Sequence, residues 1–126
     1  MPFKYNQLRV VSDSRGAVFE PIEPDRIEKH RNAHVVISGS GIIRGNHYHM
    51  KGRETMAVMG PALVRTKEHF EISDVEVPEG EVYQFVFPPG VSHAIKNMSA
   101  SPNVLMAFNT EEHDPGNPDT VKDVIL

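Results

Sequence analysis

The sequence predicts an all-β fold, a sandwich or barrel of short strands in a single domain. Three observations predict it. Apolar runs of about five to seven residues recur along the chain. Turn signals separate them, among them Gly60-Pro61, Pro78-Glu79-Gly80 and Pro88-Pro89-Gly90. The 126 residues include 10 prolines and 9 glycines, the turn supply that many short strands need. That length suits one core, so residues 1–126 read as one unit, with N-terminal strands in 3–23 and a C-terminal tail at 109–126.

Residues 8–11 and 17–21 read as strands around Ser12-Asp13-Ser14-Arg15-Gly16, a run of turn formers. Residues 24–33 are polar and read as a loop or one helical turn, with no chemistry assigned. Strands follow at 34–37 and 42–49, and Gly45 inside the second marks a bulge or a close backbone approach. Lys51-Gly52-Arg53 is a turn. Residues 55–59, 62–66, 70–77, 82–87, 93–95 and 104–108 supply the remaining strands, and their Met and Phe side chains read as core. His69 falls in a turn and reads as solvated; His30, His34 and His113 read as structural or surface residues.

Composition excludes several classes of function. A net charge of −4 gives no electrostatic case for nucleic acid or for an anionic membrane. No apolar run reaches the roughly 18 residues of a membrane span, and residues 1–20 lack the apolar stretch of a secretory signal. A cytoplasmic location is the default expectation. With no cysteine there is neither a disulfide framework nor a thiolate metal site. Any metal must be held by nitrogen and oxygen.

Those atoms come from a compact set of residues. His47 and His49 are two apart, so on a strand both rings project to one face. Glu54 follows the 51–53 turn, which brings the next strand back alongside, so Glu54 can face the same space as the two histidines. His93 follows the Pro88-Pro89-Gly90 turn at the head of a short apolar strand. Three imidazoles and a carboxylate suit one divalent ion, zinc first, with iron, manganese or nickel as alternatives.

The chain resembles the cupin superfamily, whose fold is a jelly-roll barrel, the double-stranded β-helix. Gly41, His47, His49 and Glu54 match the first cupin motif, with Gly60 one residue early; Pro88, Gly90, His93 and Asn97 match the second, with Gly80 two residues too far upstream. The motifs and the strands between them span 41–97, and they specify a fold rather than a reaction. Asp13-x-Arg15-Gly16 and Arg44-Gly45-x-His47-Tyr48 also resemble dTDP-4-dehydrorhamnose 3,5-epimerases. That likeness implies Arg15 and Arg44 beside a nucleotide diphosphate, whose oxygens match guanidinium forks, and His47 as the base if no metal is bound. A lysine of those epimerases is replaced here, near Ala57. Arg44-Gly-Asn-His-Tyr-His49 with Glu54, and the tail Asp114-Pro-Gly-Asn-Pro-Asp-Thr120, are more similar to the zinc-binding cupin domain of capsular polysaccharide sugar reductases. A third likeness, to dTDP-sugar 3,4-ketoisomerases, lacks the carboxylate that Glu54 supplies. No Gly-x-Gly-x-x-Gly dinucleotide fingerprint occurs in these residues.

The resemblance implies a metal-binding epimerase or isomerase of a nucleotide-linked 4-keto sugar, dTDP- or UDP-linked, in polysaccharide biosynthesis. It also implies a homodimer with residues 3–23 at the interface. If His47 is a ligand, the base lies elsewhere, and Tyr48, Tyr83, Glu20 and Lys51 are unranked candidates. Two other classes share the ligand set: an Fe(II)-dependent cupin dioxygenase, and a sugar- or metal-binding module without catalysis.

Overall fold

The computed structural model describes residues 3–126; residues 1 and 2 of the expected domain lie outside the described residues. In chain order the elements are β1 (Lys4–Gln7), β2 (Val11–Asp13), β3 (Gly16–Val18), α1 (Pro24–Ile27), β4 (Asn32–Ser38), β5 (Ile43–His49), β6 (Glu54–Met59), β7 (Ala62–Glu68), β8 (Glu71–Val77), β9 (Val82–Phe87), β10 (Ser92–Asn97), β11 (Asn103–Asn109) and β12 (Thr120–Lys122). Two five-stranded antiparallel sheets carry them, in the orders β1-β9-β6-β11-β4 and β12-β5-β10-β7-β8, with β2-β3 as a separate hairpin. This is the cupin jelly roll that the turn-punctuated strands predict.

Period-two alternation builds the interior. On β6, Val58, Met56 and Glu54 point inward in sequence, so an apolar row ends in a carboxylate. On β10, Ile95 is core and His93 lies one pleat further on. Phe85 and Phe87 of β9 stack at 5.8 Å and 10° and fill the middle. One half of the sandwich is therefore packed with Val, Phe, Ile and Met, and the other half is lined with polar groups. The outer face of the β9-β6 pair is covered by residues 21–27. There Arg26 Nη2 donates to Thr55 Oγ1 at 2.7 Å, and Gln84 Nε2 donates to the Pro21 carbonyl at 2.9 Å. Residues 24–33 thus hold a single helical turn with a structural task.

Three expectations are corrected. The hairpin strands are β2 and β3, shorter than 8–11 and 17–21, because the flanking residues leave the pairing. β1 and β12 had no sequence signal: both are short and polar, and only tertiary pairing with β9 and β5 makes them strands. Glu54 does not lie alongside the histidines either. The 51–53 turn carries the chain from one sheet to the other, so β6 pairs with β9 and β11, and Glu54 faces the histidines across the sandwich. No helix among the described residues is long and apolar enough to cross a membrane.

Candidate metal centre

The β5–β10 ladder sets the histidines. His93 pairs with His47 and Ala94 with Gly45, so Asn46 is an extra residue, a bulge. Gly45 has φ +91° and Asn46 φ +57°. Both lie in the left-handed region, where glycine and asparagine are favoured. A Cβ on Gly45 would meet the His93 carbonyl at 2.7 Å, which leaves room for glycine only. The bulge shifts the alternation by one, and Arg44, three residues before His47, shares its side of the sheet. His49 follows one pleat on.

The four expected ligands converge. One nitrogen or oxygen from each of His47, His49, Glu54 and His93 lies within 4.8 Å of the others. His49 Nε2 is 3.2 Å from Glu54 Oε2, and His93 Nε2 is 3.1 Å from Glu54 Oε1. These approaches are within ion-pair reach, yet His49 Nε2, His93 Nε2 and Glu54 Oε1 are buried without a hydrogen-bond partner. The His93 ring is locked: it stacks on Phe87 at 4.2 Å and 4°, and its Nδ1 is 3.1 Å from the Val91 carbonyl, which can only accept. A neutral His93 keeps its one proton there. Its Nε2 is then a bare lone pair facing a carboxylate oxygen, two acceptors in contact. A proton or a metal ion between them resolves that conflict, so the donor set fits a divalent cation.

Electrostatics agree with the geometry. Burial would raise Glu54, but its contacts with His49 and His93 outweigh this and hold its carboxyl well below the usual range. Burial would depress His49, and the Glu54 and Asp119 carboxylates outweigh that and raise it. For His47 the Glu54 carboxylate acts in the same direction but is outweighed. Burial, with His93 and His49 beside it, pushes its imidazole down to about 4. It is neutral at pH 7 and available as a lone-pair donor.

The cluster forms the floor of a cleft of about 310 Å³ between β4 and β5, within the size range of small-molecule sites. Arg44 lines it and is braced by Ser38 Oγ at 3.2 Å. The other expected residues lie elsewhere in the chain. Arg15 sits in the exposed β2-β3 hairpin, paired with Asp13 at 2.5 Å. Tyr48 alternates away from His47 and His49. Lys51 is in the turn, beside a second groove. Tyr83 stacks with Tyr5 at 6.0 Å, and Glu20 lies along the surface segment before α1. None of these four base candidates lines the cleft. Two residues read as structural or surface do: His34, on β4, and His113, in the loop after β11, with Asn109 and Asp119 beside them. His34 points inward by the alternation that also turns Val36 inward, a signal that the sequence carried. The loop residues had none beyond the tail motif.

Comparison with solved structures finds the same fold in several proteins. The capsular polysaccharide assembling protein CapF of Staphylococcus aureus is 30% identical, with a TM-score of 0.70, over 94% of this chain and 33% of CapF. The chain therefore spans about a third of the length of that relative. QdtA, a sugar 3,4-ketoisomerase of Thermoanaerobacterium thermosaccharolyticum solved in complex with TDP, superposes with a TM-score of 0.72 at 19% identity, over 97% of this chain and 88% of QdtA. The RmlC epimerase of Mycobacterium tuberculosis superposes at 0.70 with 16% identity, over 91% and 66%. No curated protein sequence matches significantly. Residues 11–121, most of the chain, match the model of one family, and the chain belongs to the polysaccharide biosynthesis C-terminal domain family.

Proposed function

We propose that this domain is an epimerase or isomerase of a nucleotide-linked 4-keto sugar, holding one divalent cation, zinc first, through His47, His49, Glu54 and His93. The observation that carries the reading is the buried, unsatisfied set of Glu54 Oε1, His49 Nε2 and His93 Nε2 at the floor of a cleft edged by Arg44. The polysaccharide setting rests on the likeness to CapF, a capsular polysaccharide assembling protein, across 94% of the chain, and the nucleotide-linked 4-keto sugar is supported by the fold shared with QdtA, solved in complex with TDP-4-keto-6-deoxyglucose.

A bound cation would supply Lewis acidity, drawing density from a carbonyl oxygen and acidifying the neighbouring C–H. The chain's own residues do the rest. Arg44 takes diphosphate oxygens at the rim, where its guanidinium makes charge-assisted bonds about twice as strong as neutral ones. The apolar walls, Val36, Met56, Ile95 and Leu105, exclude water from one side of the sugar. His34, on a strand rather than a loop and facing the cleft, takes the proton from the carbon beside the ketone. In an epimerisation water delivers a proton at the other face and His34 gives its own up to solvent; in an isomerisation His34 returns its proton at another carbon.

Elemental analysis of the purified protein, followed by deuterium uptake from solvent into dTDP- and UDP-linked 4-keto sugars, tests the reading. One divalent ion per chain and exchange that His34→Asn abolishes while metal is retained are the expected results. Absence of metal together with absence of exchange would overturn it. A second reading, with His47 as the base of a metal-free epimerase, is favoured by the neutral state of that ring at pH 7; exchange undiminished by chelator would select it. Oxygen consumption with iron would select a dioxygenase.

A further inference from the structure

The tail motif that ends in Asp119-Thr120 plays no part in the function as described so far. Its last carboxylate stands behind the cluster. Asp119 gathers three successive amides of the β5–β6 turn: its carbonyl accepts from Met50 N at 2.9 Å, its Oδ1 from Lys51 N at 2.9 Å and its Oδ2 from Gly52 N at 2.8 Å. That turn joins His49 to Glu54, so one residue fixes the span between two members of the cluster. The same Oδ2 lies 3.7 Å from His49 Nδ1, the ring atom remote from Glu54. The other neighbour of Nδ1 is Asn109 Nδ2, at 3.5 Å. The orientation of that amide is set, because Asn109 Oδ1 accepts from Glu111 N at 2.8 Å. Asn109 can therefore only donate to the ring, and Asp119 can only accept from it.

The two neighbours suit two different tautomers. With its proton on Nε2, His49 turns that proton towards Glu54 Oε2, 3.2 Å away, and can accept from Asn109 at Nδ1. A ring that gives Nε2 to a cation carries its one proton on Nδ1, where Asn109 cannot receive it and Asp119 can. We propose that Asp119 is the positioning residue of the cluster, holding His49 in its cation-ready tautomer and fixing the turn that delivers Glu54. This rests on the metal reading above. It gives the 114–120 tail a role at the site, contributed from a segment far from the ligands in sequence.

The test uses the full chain and zinc alone, with affinity measured by chelator competition at fixed pH. Loss of a partner behind a ligand histidine weakens metal binding by about ten- to a hundredfold, which is the loss expected for Asp119→Ala. Asp119→Asn keeps one acceptor oxygen and should fall between. Thr110→Ala is the control for turn bracing, since Thr110 Oγ1 holds the same turn through Arg53 N at 3.0 Å without approaching His49. It should stay within about threefold of wild type. In the zinc-loaded wild type, the imidazole ¹⁵N spectrum should show His49 protonated at Nδ1, with a proton signal that weakens through solvent exchange in Asp119→Ala. Zinc affinity within threefold of wild type in Asp119→Ala, or an equal loss in Thr110→Ala, would overturn the assignment. Wild-type protein that takes up no zinc would instead remove the metal reading, and the assignment with it.

Discussion

Asn97→Ala tests how the second motif holds the barrel. Asn97, at the end of β10, is 2% exposed. Its Nδ2 lies 3.0 Å from the Ser38 carbonyl, 3.0 Å from that of Gly39 and 2.9 Å from that of Ser101, and its Oδ1 accepts from Ser99 N at 2.8 Å. Two amide protons serve three carbonyls. One side chain thereby joins the turn leading to β5 with the loop leading to β11. At about 1 kcal/mol net per hydrogen bond, losing two donors and one acceptor costs about 3 kcal/mol, and more if the carbonyls stay dry. A chain of 126 residues unfolds with an entropy of about 0.26 kcal/mol/K near 60 °C, so Tm should fall by about 11 °C. Asn97→Asp should be worse than alanine, because it faces the same carbonyls with a carboxylate. Calorimetry on the metal-free protein reads both. A fall under about 4 °C for alanine, or an aspartate variant as stable as wild type, would refute the reasoning.

Other predictions concern the site and the assembly. His93→Ala should reduce metal occupancy strongly, and bound zinc should lie at about 2.0–2.3 Å from its ligands; full occupancy in the variant, read by elemental analysis, would contradict the ligand set. dTDP or UDP should bind in calorimetry, more weakly after Arg44→Ala and at higher salt; no binding at millimolar nucleotide would move the reading away from sugar nucleotides. Stability of the metal-free protein should decline as pH falls from about 6.5 to about 4, since the unfolded chain takes a proton at His47 that the native site refuses. The depressed Glu54 adds to the loss below its usual range. His49, raised in the native state, contributes stability that is lost as pH rises through its folded value. A flat Tm from pH 4 to 7 would contradict this. Light scattering should give twice the 14.1 kDa chain mass. Tyr5, Val11 and Val18 leave apolar surface on the N-terminal strands, and two-fold pairing is the commonest assembly; a monomer mass would refute it.

The sequence by itself determined the strands from β4 to β11, the turns between them and the four-residue cluster. Alternation is a local rule, so His47 and His49 share a face whatever lies around them. The Pro-Gly turn before His93 and the glycine before Asn46 announce local backbone needs, and the bulge stands where Gly45 marked it. Tertiary structure decided which strands meet. β1 and β12 are strands because neighbouring sheet edges supply their hydrogen bonds, which no local pattern records. Glu54 lies opposite the histidines rather than beside them because the turn crosses between sheets. Arg15 and Arg44 looked alike as motif arginines; pairing placed one in a hairpin with Asp13 and the other at the cleft. His34 reached the cleft, and Tyr48 did not, by the same alternation, once the strand faces were fixed. Asp119 stands furthest from local rules. It is 70 residues from His49 in sequence and 3.7 Å from it in space, and only the β12–β5 pairing brings the two together.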